Sequence, residues 1–287
     1  MDTQQLYVTY KPLLFSIAYR MLGTVADAED LVQDTFLSIG QWNPQRIHNE
    51  KALLCKILTN RCIDFLRSAK KKREVYVGPW LPEPILFQGA ALDPEERIIQ
   101  QDQMSIALLT LLEKLSPVER AIFILREVLD FSYDEIAEIT GKEPANCRKI
   151  FSRLKQKLTP EMPDMQMDYE QQKVLFETFL KAVETEDSAT LLKLLSPDVI
   201  LYSDGGGKVR AALRPIVTSK NVIAFLLGVA KKAPPTVRME LANINGEWGV
   251  IVYRGEQVYS VNTMHLKEGK IAALYLILNP DKLSFHF

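Results

Sequence analysis

Apolar side chains recur at helical spacing through the first seventy residues of the chain. Leu6, Leu13 and Ile17 belong to a run that ends at Gly23, and a second run opens with acidic residues that suit the positive end of a helix dipole. A third run extends from about Lys51 to Lys72, after an aperiodic, proline-containing stretch at 41–50. Residues 1–73 are therefore predicted to form a module of three helices.

A proline-rich segment follows at residues 74–92. Prolines and glycines at this density break helices and are typical of a linker. Its central string, Trp80-Leu-Pro-Glu-Pro84, and the apolar residues after it are too hydrophobic to remain in water. We expect this linker to dock on a neighbouring domain.

Signals for the starts and ends of helices recur in residues 93–160. Asp93-Pro94 and Ser116-Pro117 each combine a capping residue with a proline at the first helical position. Ser132 caps a short helix, Gly141 supplies a turn, and Pro144 opens a second helix that carries many cations. This succession predicts a helix-turn-helix module.

The pattern changes again in residues 168–287. Two amphipathic helices, at about 169–185 and 188–195, precede a strand at 198–203 and a helix at 219–231. Alternating apolar residues then predict strands near 236–244, 247–254, 256–266 and 270–278, with Asn245-Gly246 as a hairpin turn. Helices followed by a curled antiparallel sheet predict an α+β cone or half-barrel.

Charge is unevenly distributed along this near-neutral chain. The 287 residues carry a net charge of −1, which alone argues against a protein that binds nucleic acid. However, residues 60–73 hold six cations against one acid, and residues 141–158 do the same, so each segment has a local charge of +5. Two separate basic helices favour contact with phosphates.

Other features of the sequence limit the class of protein. No basic segment followed by an apolar run opens the chain, and no apolar run is long enough to cross a bilayer. We therefore expect a cytoplasmic protein with no membrane partner. The three cysteines form no CxxC pair, so neither disulfides nor a metal site is expected, and no cofactor is expected.

The first 158 residues resemble bacterial sigma factors of the extracytoplasmic-function type. The segment Asp27-Ala-Glu-Asp-Leu-Val-Gln-Asp-Thr-Phe36 is similar to the polymerase-binding helix of sigma domain two, and residues 116–158 are similar to sigma domain four. Both modules occur in the expected order and spacing. The resemblance implies a transcription initiation factor, not an enzyme, whose partners are core RNA polymerase and promoter DNA.

Candidate contact residues combine this resemblance with side-chain chemistry. One set, in the acidic helix, is expected to bind a basic surface of core polymerase: Asp27, Asp30, Leu31 and Asp34. A second set is expected to bind the −10 element: Asn60, Arg61, Asp64, Arg67, Lys71 and His48. The resemblance implies that the helix around Asn60 and the loop at 42–50 capture the flipped −10 base, with Asn60 the strongest candidate. A third set lies in the first turns of the basic second helix and is expected to bind the −35 element: Asn146, Arg148, Lys149, Ser152 and Arg153.

The rest of the chain resembles a subgroup in which a SnoaL-like domain, of the nuclear-transport-factor-two-like fold, is fused to the sigma module. The strings at 80–84, 204–208 and 279–283 carry this resemblance. It implies sigma domain two at 1–73, a linker at 74–92, sigma domain four at 93–160 and a regulatory domain at 168–287. An interdomain regulatory role is expected for the residues of these strings: Trp80, Leu81, Pro82, Asp204, Gly205, Gly206, Gly207, Lys208, Asn279, Pro280 and Asp281.

Two other functions remain open from the residues alone. One is a ligand-responsive helix-turn-helix regulator that does not bind polymerase, although such a protein needs neither the acidic helix nor a second basic helix. The other is a SnoaL-like enzyme with a DNA-binding appendage and Asp204 as the residue to test as a base. Its cone mouth would be lined by Tyr202, Trp248, Tyr259, His265 and Tyr275. The sequence leaves open whether a small molecule enters the C-terminal domain.

The glycine-rich string at 204–208 invites comparison with a phosphate-binding loop. Its spacing differs from that motif, and Val209 stands where the motif has serine or threonine. We expect the three glycines instead to let the backbone pack closely against the linker or domain two.

Overall fold

A computed structural model describes residues 3–39, 49–73, 75–87, 105–158 and 169–283. Grouped by their contacts, the described residues 3–39, 49–73 and 109–158 belong to one compact unit, and the described residues 75–87, 105–108 and 169–283 belong to a second. Among the described residues, no helix has both the length and the apolar character that crossing a membrane requires. The predicted helix start at Asp93-Pro94 and most of the predicted loop at 41–50 lie outside the described residues.

The three N-terminal helices occur where the apolar pattern predicts them. They are α1 (Thr3–Leu22), α2 (Val25–Ile39) and α3 (Glu50–Arg73). Gly23 separates the first two with a positive φ of 74°, a conformation that glycine adopts without strain. Leu14, Leu54 and Leu58 are completely buried, so the helices enclose a core of the predicted apolar positions.

The second group of helices also begins where the sequence predicts. It comprises α4 (Ile106–Leu112), α5 (Pro117–Phe123), a π-helical turn (Ile124–Val128), α6 (Tyr133–Thr140) and α7 (Pro144–Leu158). Ser116 and Ser132 form capping boxes with Glu119 and Glu135, and Gly141 ends α6 in the left-handed conformation. The π-helical turn is not encoded by any pattern that we recognised in the sequence.

The second unit combines three helices with a sheet. The helices are α8 (Tyr169–Glu184), α9 (Ser188–Leu194) and α10 (Ser219–Ala230). The strands are β1 (Leu86–Phe87), β2 (Leu195–Asp204), β3 (Ile216–Val217), β4 (Val237–Ile244), β5 (Glu247–Arg254), β6 (Gln257–Lys267) and β7 (Lys270–Ile277).

The sheet is mixed, so the expected antiparallel sheet is wrong in one respect. Its strand order is β1-β4-β5-β6-β7-β2-β3, and β2 pairs with β7 in parallel. Alternation of apolar residues does not determine strand direction where two strands far apart in the chain meet. The edge strands β1 and β3 were not predicted, because two residues are too few to show alternation.

The helices pack against the sheet and share an apolar core with it. Phe176, Leu191, Leu201, Val222 and Leu274 are buried together in one apolar cluster. This cluster builds the α+β cone that the sequence predicts.

Gly249 and Gly228 provide a matched test of the packing of this sheet. A Cβ added at Gly249 would lie 2.9 Å from the backbone oxygen of Asn262, whereas a Cβ at Gly228, in α10, would meet nothing within 4 Å. We expect Gly249→Ala to destabilise the protein by about 1–3 kcal/mol through overpacking. Gly228→Ala should stabilise it by up to ~1 kcal/mol through helix propensity. Urea unfolding measures both, and shifts of the same sign would contradict this packing.

Candidate nucleic-acid interface

The helix-turn-helix places its predicted DNA-binding residues on one solvent-facing surface. On α7, Cys147, Phe151 and Leu154 are buried, at the spacing of one helical face. The residues between them point the other way. All five candidates for the −35 element are exposed: Asn146, Arg148, Lys149, Ser152 and Arg153.

Two of the cations on this surface already have partners. The Arg153 guanidinium lies 2.9 Å from the Glu119 carboxylate, and the Arg148 guanidinium lies 5.1 Å from the centre of the Tyr133 ring. The Arg153 side chain is 68% exposed, and an ion pair of this kind contributes only about 0–1 kcal/mol. A DNA phosphate is therefore able to displace Glu119 at little cost.

The predicted −10 residues lie along α3. Asn60, Asp64 and Arg67 are exposed, and Arg67 pairs with Asp64 at 3.1 Å within the same helix. Arg61 is half-buried and pairs with Asp34 of α2 at 3.5 Å. Its predicted DNA contact and the predicted polymerase contact of Asp34 therefore compete with this pair. His48 and the side chain of Lys71 lie outside the described residues.

The predicted polymerase-binding helix, α2, has an exposed acidic face. Asp27 accepts a hydrogen bond from the Thr24 hydroxyl at 2.6 Å, so it also fixes the start of the helix. Asp30 and Asp34 are exposed, and Leu31 is half-buried. Leu37 was not among the predicted contact residues, although it is 66% exposed and lies three residues after Asp34. Its sequence signal is an apolar residue at helical spacing from acidic residues.

The two helical modules of the first unit pack against each other. The amide of Asn60 on α3 donates to the backbone oxygen of Ile139 on α6 at 3.2 Å. The ammonium of Lys51 lies 4.8 Å from the centre of the Phe131 ring. The residue that we expect to capture the −10 base is thus bound to the helix-turn-helix.

Arg120 is the most deeply buried link between these modules. Its guanidinium donates to the backbone oxygen of Met21, at the end of α1, at 2.5 Å and pairs with Glu113 at 2.6 Å. The residue is 3% exposed. Burial lowers the pKa of Arg120 to about 10, which leaves it charged at neutral pH.

In the second unit, Asp204 is the centre of a buried polar cluster that holds the linker. One carboxylate oxygen accepts from the Tyr76 hydroxyl at 2.6 Å, and the other accepts from the backbone amide of Leu81 at 2.8 Å. The Lys282 ammonium pairs with Asp204 at 2.7 Å and also donates to the backbone oxygen of Leu81. Asp204 and Leu81 are completely buried, so the linker is held by backbone and side chain together.

The sequence strings at 80–84, 204–208 and 279–283 meet at this cluster. We call the cluster the linker anchor (Tyr76, Leu81, Asp204, Asn279 and Lys282). Asn279 donates to the Tyr76 hydroxyl at 3.0 Å, and the Lys282 ammonium lies 4.2 Å from the Trp80 ring centre. Burial and the neighbouring Asp204 raise the pKa of Tyr76, which therefore remains a hydrogen-bond donor.

The glycines of the 204–208 string give room for these contacts. A Cβ at Gly206 would lie 2.5 Å from the Asn279 amide, and one at Gly207 would lie 3.1 Å from Val77 of the linker. Close packing of this loop on the linker is therefore observed. Lys208 pairs with Asp281 at 2.6 Å on the surface of the same unit.

A second attachment of the linker was not predicted. Ile85 and Asn245 exchange hydrogen bonds of 2.9 Å, one through the Asn245 side chain and one between backbones. Leu86 and Phe87 then pair with β4 as an added edge strand. The Asn245-Gly246 dipeptide predicted the hairpin, but nothing in it revealed that Asn245 also binds the linker.

The cone offers little support for catalysis. Asp204 already binds Tyr76, Leu81 and Lys282, so it is not placed to act as a base. Tyr202 and Tyr275 stack on each other with ring centres 5.5 Å apart, and the Arg254 guanidinium lies 3.4 Å from the Tyr259 ring centre. A small pocket in this domain is lined by Gln172, Phe176, Glu247, Trp248, Met264, His265 and Leu266.

Removal of Asp204 tests the linker anchor. Asp204→Ala leaves the Lys282 ammonium buried without its carboxylate, so we expect a loss of about 3–5 kcal/mol in the free energy of unfolding. Asp281→Ala breaks the exposed pair with Lys208 and should cost about 0–1 kcal/mol. The double variant Asp204→Ala, Lys282→Met should recover part of the loss, because no uncompensated charge remains. Urea unfolding followed by tryptophan fluorescence gives all three values, and equal costs for the two single variants would contradict a buried anchor.

Glu247 makes the stability of this domain depend on pH. Burial raises the pKa of its carboxyl from 4.5 to about 8. The folded state therefore keeps a proton that the unfolded state releases, so this stabilising contribution is complete below pH 4.5 and is lost as the pH rises through about 8. In Glu247→Gln, the urea midpoint of unfolding should fall less steeply with pH between pH 4.5 and about 8. An unchanged pH profile would show that Glu247 is ionised in the folded protein.

Comparison with known proteins identifies the two helical modules of the first unit. The family model for sigma-70 region 2 matches residues 6–72, and the model for sigma-70 region 4 matches residues 105–158. The chain is 33% identical to the ECF RNA polymerase sigma factor SigJ of Mycobacterium tuberculosis, over 94% of this chain and 90% of that protein. It is 25% identical to the sigma factor SigI of the same species, over 96% and 92% of the two proteins.

The likeness extends to structure. The crystal structure of Mycobacterium tuberculosis SigJ matches with a TM-score of 0.79 at 30% identity and covers 96% of each chain. Relatives of this kind are sigma factors and not enzymes, which excludes both a SnoaL-like enzyme and a regulator that acts without polymerase. This chain belongs to the extracytoplasmic-function family of RNA polymerase sigma factors, in the subgroup with a fused C-terminal SnoaL-like domain, and its partners are core RNA polymerase and promoter DNA.

Proposed function

We propose that the C-terminal SnoaL-like domain restrains this sigma factor by holding the linker between regions 2 and 4. The observation that carries the proposal is the linker anchor, in which the buried Asp204–Lys282 pair binds both backbone polar groups of Leu81. Along the chain, Leu81 lies between the segments that match regions 2 and 4. A domain that holds this segment limits how far those regions can separate.

Chain length shows why this restraint matters. Elements centred near −35 and −10 lie about 25 base pairs apart, which is about 85 Å along B-form DNA. The residues between Arg73 and Ser105 span at most about 110 Å when fully extended. The held residues 76–87 make up twelve of the thirty-one residues in this segment, and their path is fixed while they stay bound to the C-terminal domain. Release of the linker therefore adds conformational freedom that promoter binding can use.

The packing within the first unit supports the same proposal. Asn60 and Ile139 are joined at 3.2 Å, and Arg120 joins the two modules through Met21. Modules in direct contact do not span ~85 Å of promoter. We infer that the free chain is a closed form, and that polymerase and promoter binding open it in the cytoplasm, where these partners act.

The contact residues complete the proposed mechanism. Asp30 and Leu37 on α2 present an acidic and apolar face to core polymerase, with Asp27, Leu31 and Asp34 beside them. Two further sets contact DNA. The −10 element meets Asn60, Arg61, Asp64, Arg67, His48 and Lys71, and the −35 element meets Asn146, Arg148, Lys149, Ser152 and Arg153. Domain two at 1–73, domain four at 93–160 and a regulatory domain at 168–287 are the proposed boundaries.

A linker variant tests the restraint without altering the C-terminal domain itself. Leu81 is completely buried, and Leu81→Asp places a carboxylate beside Asp204, so we expect the linker to detach. Val75, which is 80% exposed, offers the matched control Val75→Asp. Transcription with core polymerase on a promoter library should rise several-fold for the first variant and stay unchanged for the second. Equal transcription by the unmodified protein and both variants would contradict the regulatory role. If none of the three proteins initiated transcription, the result would count against sigma activity itself.

The closed form is tested by a distance. Glu29 on α2 and Gln156 on α7 are exposed, whereas Cys55, Cys62 and Cys147 are buried, so Glu29→Cys and Gln156→Cys can be labelled selectively. Energy transfer between the dyes should be high in the free protein and fall when core polymerase and promoter are added. A labelled pair within one module, Glu29→Cys with Asp64→Cys, should not change. High transfer in the complete complex would contradict opening.

A further inference from the structure

The C-terminal domain contains a long segment with no acidic residue. Residues 205–239 hold seven cations and no Asp or Glu. Subtracting these from the whole chain leaves 28 cations and 36 acids elsewhere, so a segment of charge +7 is joined to a remainder of charge −8. The net charge of the protein conceals this third basic region.

Three of the seven cations are used in ion pairs. Lys208 pairs with Asp281, Lys231 with Glu186, and Arg238 with Glu240. Among the residues that the structure describes, no acid pairs with the remaining four cations. All four are exposed, and three of them come from one eleven-residue segment: Arg210, Arg214 and Lys220. We call these three the basic rim.

The basic rim lies at the edge of the sheet. Arg214 precedes and Lys220 follows β3, the last strand in the sheet order. Lys220 occupies the first turn of α10, which contains no acidic residue, so a cation stands at the positive end of the helix dipole. Cations at a sheet edge also discourage pairing with another sheet, but a two-residue strand needs little such protection.

The same loop contacts the linker. A Cβ at Gly78 would lie 3.8 Å from the Cα of Leu213 and 3.9 Å from the backbone oxygen of Ala212. Arg210 and Arg214 therefore flank the residues that lie against Gly78. A ligand of the basic rim would bind directly beside the held linker.

We propose that the basic rim binds the sugar-phosphate backbone of promoter DNA and gives this sigma factor a third DNA contact, in its C-terminal domain. The inference does not depend on the proposed restraint of the linker; it requires only a sigma factor that binds promoter DNA. Exposed Arg and Lys side chains without neighbouring acids bind phosphates with no preference for sequence. The contact supplies affinity and position, while regions 2 and 4 read the promoter.

The test measures how holoenzyme affinity for DNA depends on salt. The variant Arg210→Ala, Arg214→Ala, Lys220→Ala removes the basic rim. Lys181→Ala, Lys193→Ala, Lys270→Ala removes three exposed cations elsewhere in the same domain and is the matched control. Holoenzyme is formed from each protein and core polymerase, and binding to promoter and to non-promoter duplexes of equal length is followed by fluorescence anisotropy.

Loss of three phosphate contacts should reduce the slope of log affinity against log salt by about 2.7. The fall in affinity between about 50 and 200 mM salt then becomes about 40-fold smaller. This change should be equal on both duplexes and absent from the control.

Other results would overturn the inference. An unchanged slope in the rim variant, or an equal change in the control, would show that the rim does not bind phosphate specifically. A rim variant that no longer binds core polymerase would assign the surface to polymerase instead. Failure of the unmodified holoenzyme to prefer promoter DNA would count against sigma activity on these duplexes and not against the rim.

Discussion

In this sigma factor, one buried ion pair holds the linker on the C-terminal domain. Asp204 and Lys282 are both removed from solvent, and a pair in that position is stable only if its remaining donors and acceptors are also satisfied. The linker supplies those partners through Tyr76 and the backbone of Leu81. Holding the linker and satisfying the buried charges are therefore the same set of contacts. When the linker detaches, the Asp204 carboxylate and the Lys282 ammonium lose these partners, and each must then be hydrated or find new hydrogen bonds.

This coupling is the basis on which we propose a regulatory role for the domain, a role that requires no catalysis. The cone is filled with apolar side chains, and the acidic residue that suggested an enzyme instead binds the linker. The glycines beside it serve the same end, since Gly206 and Gly207 allow the loop to approach Asn279 and Val77. The SnoaL-like domain thus binds the linker through Asp204 and the glycine-rich loop that follows it.

Much of the fold was predictable because local rules and packing agree. Ser116, Ser132 and Gly141 begin and end helices as their chemistry dictates, and Asn245-Gly246 forms the predicted hairpin. The parallel pairing of β2 with β7 was not predictable, since it joins strands more than sixty residues apart. The edge strand at Leu86 was also hidden, because its partner is β4 and its two residues show no period.

The features of the candidate site were likewise only partly predictable from the sequence. Side-chain type and helical spacing identified the exposed face of α7 and the acidic face of α2. They did not reveal that Asn60 binds Ile139, that Arg61 pairs with Asp34, or that Arg120 links the modules, because each contact joins distant segments. The basic rim escaped notice for a simpler reason. Its charges are spread over a loop and the first turn of a helix, and they form no run.

The most direct measurement of the central claim is hydrogen exchange at the backbone amide of Leu81. In the free protein this amide donates to Asp204 in a buried site, so its exchange should be slow. If linker release accompanies promoter binding, the protection should be lost in the complex with core polymerase and promoter DNA. Protection that persists unchanged in a transcribing complex would show that the linker stays bound, and would contradict control through its release.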